Sequence, residues 1–142
     1  MSRIVDGGHP NATVNETCIQ EFTAADELIF QWRAWDHLDI ADVGPAQIEN
    51  VRASSIRFSH MNAIDVDDDG HLLVSSRHLH EVTKIHRQTG QIIWRLGGRH
   101  SDFTFVNDPL QGFWGQHDVR ALGNHRYTLF DNGNHHDPPV SR

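Results

Sequence analysis

The chain has 142 residues, with 12 basic and 19 acidic side chains and a formal net charge of -7. This acidic balance, without a Lys/Arg cluster, argues against a nucleic-acid partner or an anionic membrane surface, and no apolar run reaches the roughly 20 residues of a membrane span. A single cysteine excludes an internal disulfide framework, and the length suits one domain.

Residues 1–17 are rich in Gly, Pro and Asn and are predicted to form a loop-rich N-terminal segment. This segment contains two N-glycosylation sequons, at Asn11 and Asn15. Such triplets are compatible with a secreted or extracytoplasmic parent protein, and they also arise by chance. No signal-peptide pattern follows Met1, so the sequence assigns no localisation to the chain.

From residue 18 onwards the pattern predicts short antiparallel strands. "CIQEFTAADELIFQWRA" indicates strand, turn and strand, and the connection that follows contains a predicted short helix near Ala46 to Val51. Four strands come next, at residues 62–66, 72–76, 82–85 and 92–96, and a last pair lies at 118–121 and 127–130. Tight turns with a glycine, at residues 67–70 and 88–90, separate the neighbouring strands.

Two features of the chain occur twice. "LIFQWR" (28–33) returns as "QIIWRL" (91–96), and a hairpin led by a histidine begins at His60 and again at His117. Repeats of this kind predict an all-β fold, specifically a partial β-propeller of about two four-stranded antiparallel meanders over residues 18–142. An ordinary β-sandwich is the alternative. Trp94 and Phe113 are predicted to pack between neighbouring units.

The predicted propeller is incomplete. Closed propellers have roughly four to eight blades, so we expect this chain to be part of a longer parent that supplies the remaining blades, or a truncated gene product. We also expect no turnover from the chain by itself, because part of the wall around a central site would be missing.

The segment Asp65-x-Asp67-x-Asp69-Gly70 matches the start of a calcium-binding loop. An EF-hand loop requires a bidentate glutamate at its twelfth position, where this chain has Ser76. Carboxylates followed by glycine are equally typical of a solvated turn between strands. We therefore predict a turn without a metal, and no cofactor.

Polar residues open the repeated hairpins. His60 and Asn62 are two residues apart at the start of a strand, so they are predicted to share a face. His117 opens the corresponding strand of the next unit, and Arg77 ends the hairpin of His60. Two imidazoles, an amide and a guanidinium suit a tetrahedral oxyanion, with a histidine available as nucleophile or proton carrier. The alternative is that each histidine caps a strand for structural reasons.

The ordered set H-x-N, S-S-R, W-R-L-G-G, Q-H-D and F-D-N-G begins at His60 and ends at Gly133. This set resembles the arylsulfotransferase (aryl-sulfate sulfotransferase) superfamily, in particular its arylsulfotransferase-like branch, over residues 20–142. The resemblance implies a six-bladed propeller with its active site in the central channel. There a histidine takes the sulfuryl group from an aryl sulfate ester, forms a sulfohistidine and passes the group to a phenol.

The resemblance also implies a role for each matching residue. His117 matches the nucleophile, and His60, Asn62 and Arg77 match the acid/base and sulfate-binding groups. Aryl sulfates and phenols are the implied partners, without a nucleotide sulfate donor. A further active-site histidine of the characterised enzymes has no counterpart before Cys18. Two other hypotheses therefore stand beside the enzyme: a non-catalytic propeller that serves as a binding or structural domain, and a quinoprotein-like oxidoreductase.

Overall fold

The computed structural model describes residues 8–43 and 53–142 and confirms that the chain is mostly β. The helical parts in these ranges are α1 (Ala34–His37) and two short 3-10 turns, at Ile40–Asp42 and Arg77–Leu79. The strands in these ranges are β1 (Thr13–Asn15), β2 (Cys18–Phe22), β3 (Leu28–Arg33), β4 (Ser55–Arg57), β5 (Met61–Val66), β6 (Leu72–Ser76), β7 (Glu81–Ile85), β8 (Ile92–Gly97), β9 (His117–Gly123) and β10 (Arg126–Phe130).

None of the helices in the described ranges is long and apolar enough to cross a membrane. The short helix predicted near Ala46 to Val51 lies outside the described residues.

Strands β5 to β8 form one four-stranded antiparallel sheet in chain order, as the sequence predicts. Each of these four predicted strands agrees with the observed one within about a residue at its ends. Two of the reversals depend on glycine, because Gly70 has φ 80° and Gly90 has φ 72°. Glycine adopts this left-handed region without the steric cost that a Cβ would bring.

The two central strands of the four-stranded sheet are buried on both faces. Every residue of β6 and β7 is buried. Leu72 and Val74 belong to one buried cluster together with Trp32 of β3, whereas Leu73 belongs to a second cluster together with Val119 of β9. Successive residues of a strand point to opposite faces. The sheet therefore packs between the antiparallel hairpins β2–β3 and β9–β10.

The two tryptophans of the repeated Trp-Arg pair differ in their surroundings. Trp32 is fully buried, and its Nε1 donates a hydrogen bond to Gly90 O at 2.9 Å. Trp94 is half-buried and packs against the second cluster, which contains the buried Phe113. The prediction that Trp94 and Phe113 are packing residues is confirmed, and their packing between adjacent propeller blades stays a prediction.

The sequence did not predict a parallel pair formed by β1 and β4. Val14 lies opposite Ile56 in this pair, so the N-terminal segment predicted to be loop contains a strand. Each strand has only three residues, too few to show alternation of apolar and polar side chains. The pair depends on contacts between segments that are distant in the chain, and such contacts leave no local pattern.

The carboxylates of the Asp65–Gly70 turn have partners within the protein. Lys84 Nζ lies 2.5 Å from Asp67 Oδ2 and 2.7 Å from Asp69 Oδ2. Asp65 Oδ2 accepts a hydrogen bond from Ala121 N at 2.9 Å. An ammonium group thus binds two of the oxygens that a calcium ion would need. In the described part of the chain, no group of three or more His, Cys, Asp or Glu side chains is arranged to hold a metal.

Candidate active site

The two histidines that open the repeated hairpins lie next to each other. The ring centroids of His60 and His117 are 6.2 Å apart, with the ring planes at 81°. Arg77 is adjacent, because its backbone N–H donates to His60 O at 3.0 Å. Asn62 Nδ2 donates to Gln116 O at 2.8 Å, beside His117. The structure therefore brings together the four residues that the sequence singled out.

The side chains of His60 and Asn62 point the same way, but not because of the alternation of side chains along a strand. Strand β5 begins at Met61, and His60 before it has a left-handed backbone with φ 51°. Asn62 lies in an irregularity of the register between Met61 and Ala63. Because a β-bulge re-aims a side chain, both residues point towards the start of β9. The sequence prediction was correct in its result and wrong in its geometric reason.

The ring of His117 is held in one tautomer. Its Nδ1 lies 3.0 Å from Gly115 O and 2.6 Å from Asn132 Oδ1. A backbone carbonyl can only accept a hydrogen bond, so Nδ1 carries the proton. In the neutral ring the lone pair is then on Nε2, which makes no hydrogen bond to any described residue. A nucleophilic imidazole requires a free lone pair of this kind.

His78 lies beside His60 and was not among the site residues predicted from the sequence. Its Nδ1 donates to Arg57 O at 2.8 Å, which leaves its Nε2 to accept from His60 Nδ1 at 3.2 Å. Neutral His60 therefore keeps its own lone pair on Nε2. Burial lowers the pKa of both histidines, and the positive charge of Arg77 lowers each further. Both rings are thus neutral at neutral pH.

The guanidinium group of Arg77 has no hydrogen bond or ion pair to any residue in the described ranges. Within those ranges no carboxylate bonds to His60, His117 or the Arg77 side chain either. Most arginines in the described part of the chain behave differently, since a carboxylate pairs with each of Arg33, Arg87, Arg95, Arg120 and Arg142. A half-buried, unpaired guanidinium beside imidazoles, with no carboxylate bonded to them, favours the binding of an anion.

The segment before His117 is anchored by the buried side chain of Gln116. Its Nε2 lies 2.9 Å from Glu81 O, 3.3 Å from Ser76 O and 3.2 Å from Ser75 Oγ. The backbone carbonyl of Gln116 accepts the hydrogen bond from Asn62 Nδ2. One N–H of the Asn62 amide therefore positions the backbone next to His117. Gln116 was visible in the Q-H-D motif, but its role depends on burial that the motif does not show.

The F-D-N-G motif completes the support of His117. Asp131 Oδ1 accepts from Trp114 N at 2.9 Å and from Gly133 N at 2.8 Å, and Oδ2 lies 2.8 Å from His136 Nε2. Burial alone would raise the pKa of Asp131, but these hydrogen bonds outweigh it and the pKa is lowered. Asp131 thus fixes the loop before His117, and the neighbouring Asn132 orients the imidazole.

His80 supports the same loop from the other side. It is 4% exposed, and its Nδ1 accepts from Gly115 N at 2.9 Å. Burial, followed by the charges of His135, His78 and Arg77, lowers its pKa from 6.5 to about 4. The folded pKa lies below the unfolded one, so this contribution to stability is complete above pH 6.5 and is lost as the pH falls towards 4.

We expect His80→Asn to flatten the dependence of stability on pH. Asn tolerates the φ of 52° at this position, and its side-chain oxygen can accept from Gly115 N. Between pH 7 and pH 4, the free energy of unfolding should fall by roughly 2–3 kcal/mol more in the unsubstituted chain than in the variant. Urea titrations at about pH 7, 5.5 and 4 measure this difference, and parallel profiles would contradict it.

The comparisons with known proteins agree with this arrangement of motifs. The family model described as Arylsulfotransferase (ASST) matches residues 2–141, which is nearly the whole chain. Comparison with curated proteins and with solved structures gave no match.

Proposed function

The chain belongs to the arylsulfotransferase family, and on this premise we propose that, as part of a longer parent protein, it transfers a sulfuryl group from an aryl sulfate ester to a phenol, with His117 as the nucleophile. One observation carries the proposal. Two imidazoles lie 6.2 Å apart, centroid to centroid, beside the unpaired guanidinium of Arg77. A monoanionic sulfate ester between them would meet a nucleophile, a base and a cation.

In the first step, His117 Nε2 attacks the sulfur atom of the donor. The bond from sulfur to the aryl oxygen breaks, its electron pair leaves with the phenolate, and a sulfohistidine remains. The hydrogen bonds from Nδ1 to Gly115 O and Asn132 Oδ1 stabilise the positive charge that develops on the ring. Arg77 offers N–H donors to the sulfuryl oxygens as the transition state forms.

In the second step, the hydroxyl oxygen of a phenol attacks the sulfur atom. His60 Nε2 takes the hydroxyl proton, the bond from sulfur to nitrogen breaks, and its electron pair returns to His117. The proton then passes from His60 to solvent or to the departed phenolate. The lowered pKa of His60 suits this role, because a base must be unprotonated before it acts. Asn62 positions the His117 backbone and is a further donor for the sulfate.

The proposal includes an arc of a β-propeller. A single four-stranded antiparallel meander packed between hairpins supports it, and so does the position of His60 and His117 at the start of successive units. Phe22, Leu28 and Ile29 on the β2–β3 hairpin are exposed. These side chains are suited to burial against another blade, which a structure of a longer parent would test.

The nucleophile is tested by trapping the sulfohistidine. The full-length parent is incubated with 4-nitrophenyl sulfate without an acceptor, at neutral pH so that the bond from nitrogen to sulfur survives. We expect about one nitrophenol released per protein and one sulfuryl group on the peptide that carries His117. A sulfuryl group on another residue, or no release of nitrophenol at all, would contradict this mechanism. The alternative hypothesis, a non-catalytic binding domain, would then be favoured.

His78 is expected to act as a positioning residue. We expect His78→Phe to slow transfer to the phenol about a hundredfold, because His60 loses the acceptor that holds its proton on Nδ1. Release of nitrophenol from the donor should change less, since His117 keeps its own partners. His78→Gln can accept from His60 and donate to Arg57 O, so it should recover part of the loss.

A spectroscopic measurement separates this role from a general effect on folding. The ¹⁵N signals of the His60 ring should show one tautomer in the unsubstituted protein and a mixture in His78→Phe. His71→Phe is the matched control, because the ring of His71 contacts that of His86, with centroids 4.4 Å apart, away from this site. Equal losses in both variants, or an unchanged His60 tautomer, would contradict the prediction.

A further inference from the structure

A cavity of about 500 Å³ lies next to the active site and is lined by none of its four predicted residues. Its wall is formed by the 3-10 turn after β6, the loop after β8 and the loop before β9. This volume lies within the range of roughly 300–1,000 Å³ that pockets for small molecules occupy. The mechanism proposed above makes no use of it.

Aromatic rings make up much of the cavity wall. Phe103, Phe105, Phe113 and Trp114 line it together with Leu79. The rings of Phe105 and Phe113 meet edge to face, with centroids 5.7 Å apart. Aromatic side chains pack favourably against another ring in stacked or edge-to-face arrangements. The wall is therefore suited to a flat aromatic ligand.

The charges that line the cavity favour an anion. Arg99 is exposed, and its Nη1 donates to Ala41 O at 2.7 Å. No carboxylate in the described part of the chain pairs with it. Asp42, the acidic residue of the lining, has partners on both carboxylate oxygens, since Oδ1 lies 2.8 Å from His100 Nε2 and Oδ2 lies 3.2 Å from Arg95 Nη2, the guanidinium that also binds Glu81. A single unpaired guanidinium matches one negative charge on a ligand.

We propose that this cavity is a second ligand site, distinct from the site of sulfuryl transfer, and that it binds a small aromatic carboxylate. The ring lies among Phe103, Phe113 and Trp114, and the carboxylate pairs with Arg99. Such a compound has no sulfuryl group to donate and no phenol to accept one, so its binding goes beyond the proposed reaction.

The cavity wall is connected to the active site through one residue. His80 lines the cavity and accepts from Gly115 N at 2.9 Å, and Gly115 O accepts from His117 Nδ1 at 3.0 Å. The ring of His80 also contacts Trp114, with centroids 4.5 Å apart. A ligand against Trp114 is thus separated from the candidate nucleophile by two hydrogen bonds, and its binding should shift the imidazole signals of His117.

Calorimetry with sodium 2-naphthoate tests the proposal, with 2-naphthamide as the uncharged probe. We expect one saturable site for 2-naphthoate, and binding of 2-naphthamide weaker by about fivefold because it lacks the charge. Arg99→Gln should weaken 2-naphthoate by about fivefold and leave 2-naphthamide unchanged. Phe103→Ser should weaken both probes, and Phe103 is exposed enough for this variant to fold.

Two further variants separate this site from the active site. Arg126→Gln is the matched control, because Arg126 is also exposed and also donates to a backbone carbonyl, that of Gly123. It should leave both affinities unchanged. His117→Ala should abolish sulfuryl transfer without changing the affinity for 2-naphthoate. The proposal is overturned by the absence of saturable binding, by equal effects of Arg99→Gln and Arg126→Gln, or by loss of binding in His117→Ala. If 2-naphthyl sulfate binds in the cavity in preference to 2-naphthoate, the cavity is part of the donor site and the proposal is also overturned.

Discussion

Replacement of His117 by Ala is expected to lower sulfuryl transfer by at least about a thousandfold. The substitution removes the atom that forms the covalent intermediate. Arg77 and His60 remain and can still bind a sulfate ester, so the apparent affinity for the donor should change far less than the turnover. The measurement is release of 4-nitrophenol from its sulfate ester by the full-length parent, with a phenol as acceptor.

Controls must separate lost chemistry from lost structure. His125→Asn is the matched variant, since His125 is exposed in the β9–β10 turn and its φ of 55° suits Asn. It should retain full transfer. Added imidazole should restore part of the donor cleavage in His117→Ala by occupying the space of the missing ring. Transfer that survives the substitution would refute the sulfohistidine mechanism, and equal losses in the two variants would show an effect on folding alone.

Replacement of Arg95 by Met is expected to lower the free energy of unfolding by about 3–5 kcal/mol. Arg95 Nε lies 2.8 Å from Glu81 Oε2, and its Nη2 lies 3.2 Å from Asp42 Oδ2. Glu81 is fully buried. Methionine fills much of the space of the arginine stem but leaves the Glu81 carboxylate without its cation, and an unpaired buried charge is costly.

The stability lost in Arg95→Met should increase as the pH rises. Burial raises the pKa of Glu81, and the hydrogen bonds and charge of Arg95 oppose this effect. Without Arg95 the folded pKa lies further above the unfolded value. Stability is then retained below the unfolded pKa and lost as the pH rises through the folded one. The destabilisation measured in urea should therefore be larger at about pH 8 than at about pH 5.

Arg87→Met is the control for this prediction. Arg87 pairs with Glu21 at the surface, where water screens both charges, so its loss should cost much less stability than the loss of Arg95. Arg95→Met combined with Glu81→Gln should recover part of the stability, because the amide needs no cation. A destabilisation by Arg95→Met as small as that by Arg87→Met would show that the buried pair contributes little.

The strands and their pairing within hairpins were predictable from the sequence. Apolar and polar residues alternate over a few positions, and Gly70 and Gly90 mark the reversals, so the information lies within each segment. The contact between two of the motifs was also predictable from the sequence. His117 pairs with Phe130 across the β9–β10 hairpin, which brings the Q-H-D and F-D-N-G motifs together.

The details of the active site depended on tertiary structure. The proton on His117 Nδ1 is assigned by Gly115 O and Asn132, and that on His60 Nδ1 by His78. A sequence shows which residues are histidines, but the tautomer of an imidazole depends on its hydrogen-bond partners. The segment "RHLH", directly after a strand, was the signal that could have identified His78.

The sequence by itself determined the β class of the chain, its hairpins, its family motifs and the residues of the candidate active site. Only the tertiary structure decided the parallel pairing of β1 with β4, the burial of Gln116 and Glu81, and the aromatic cavity. The physical reason is the range of the interactions. Alternation and turn formation act between neighbours in the chain, whereas burial, ion pairing and cavities arise between segments that meet only after folding.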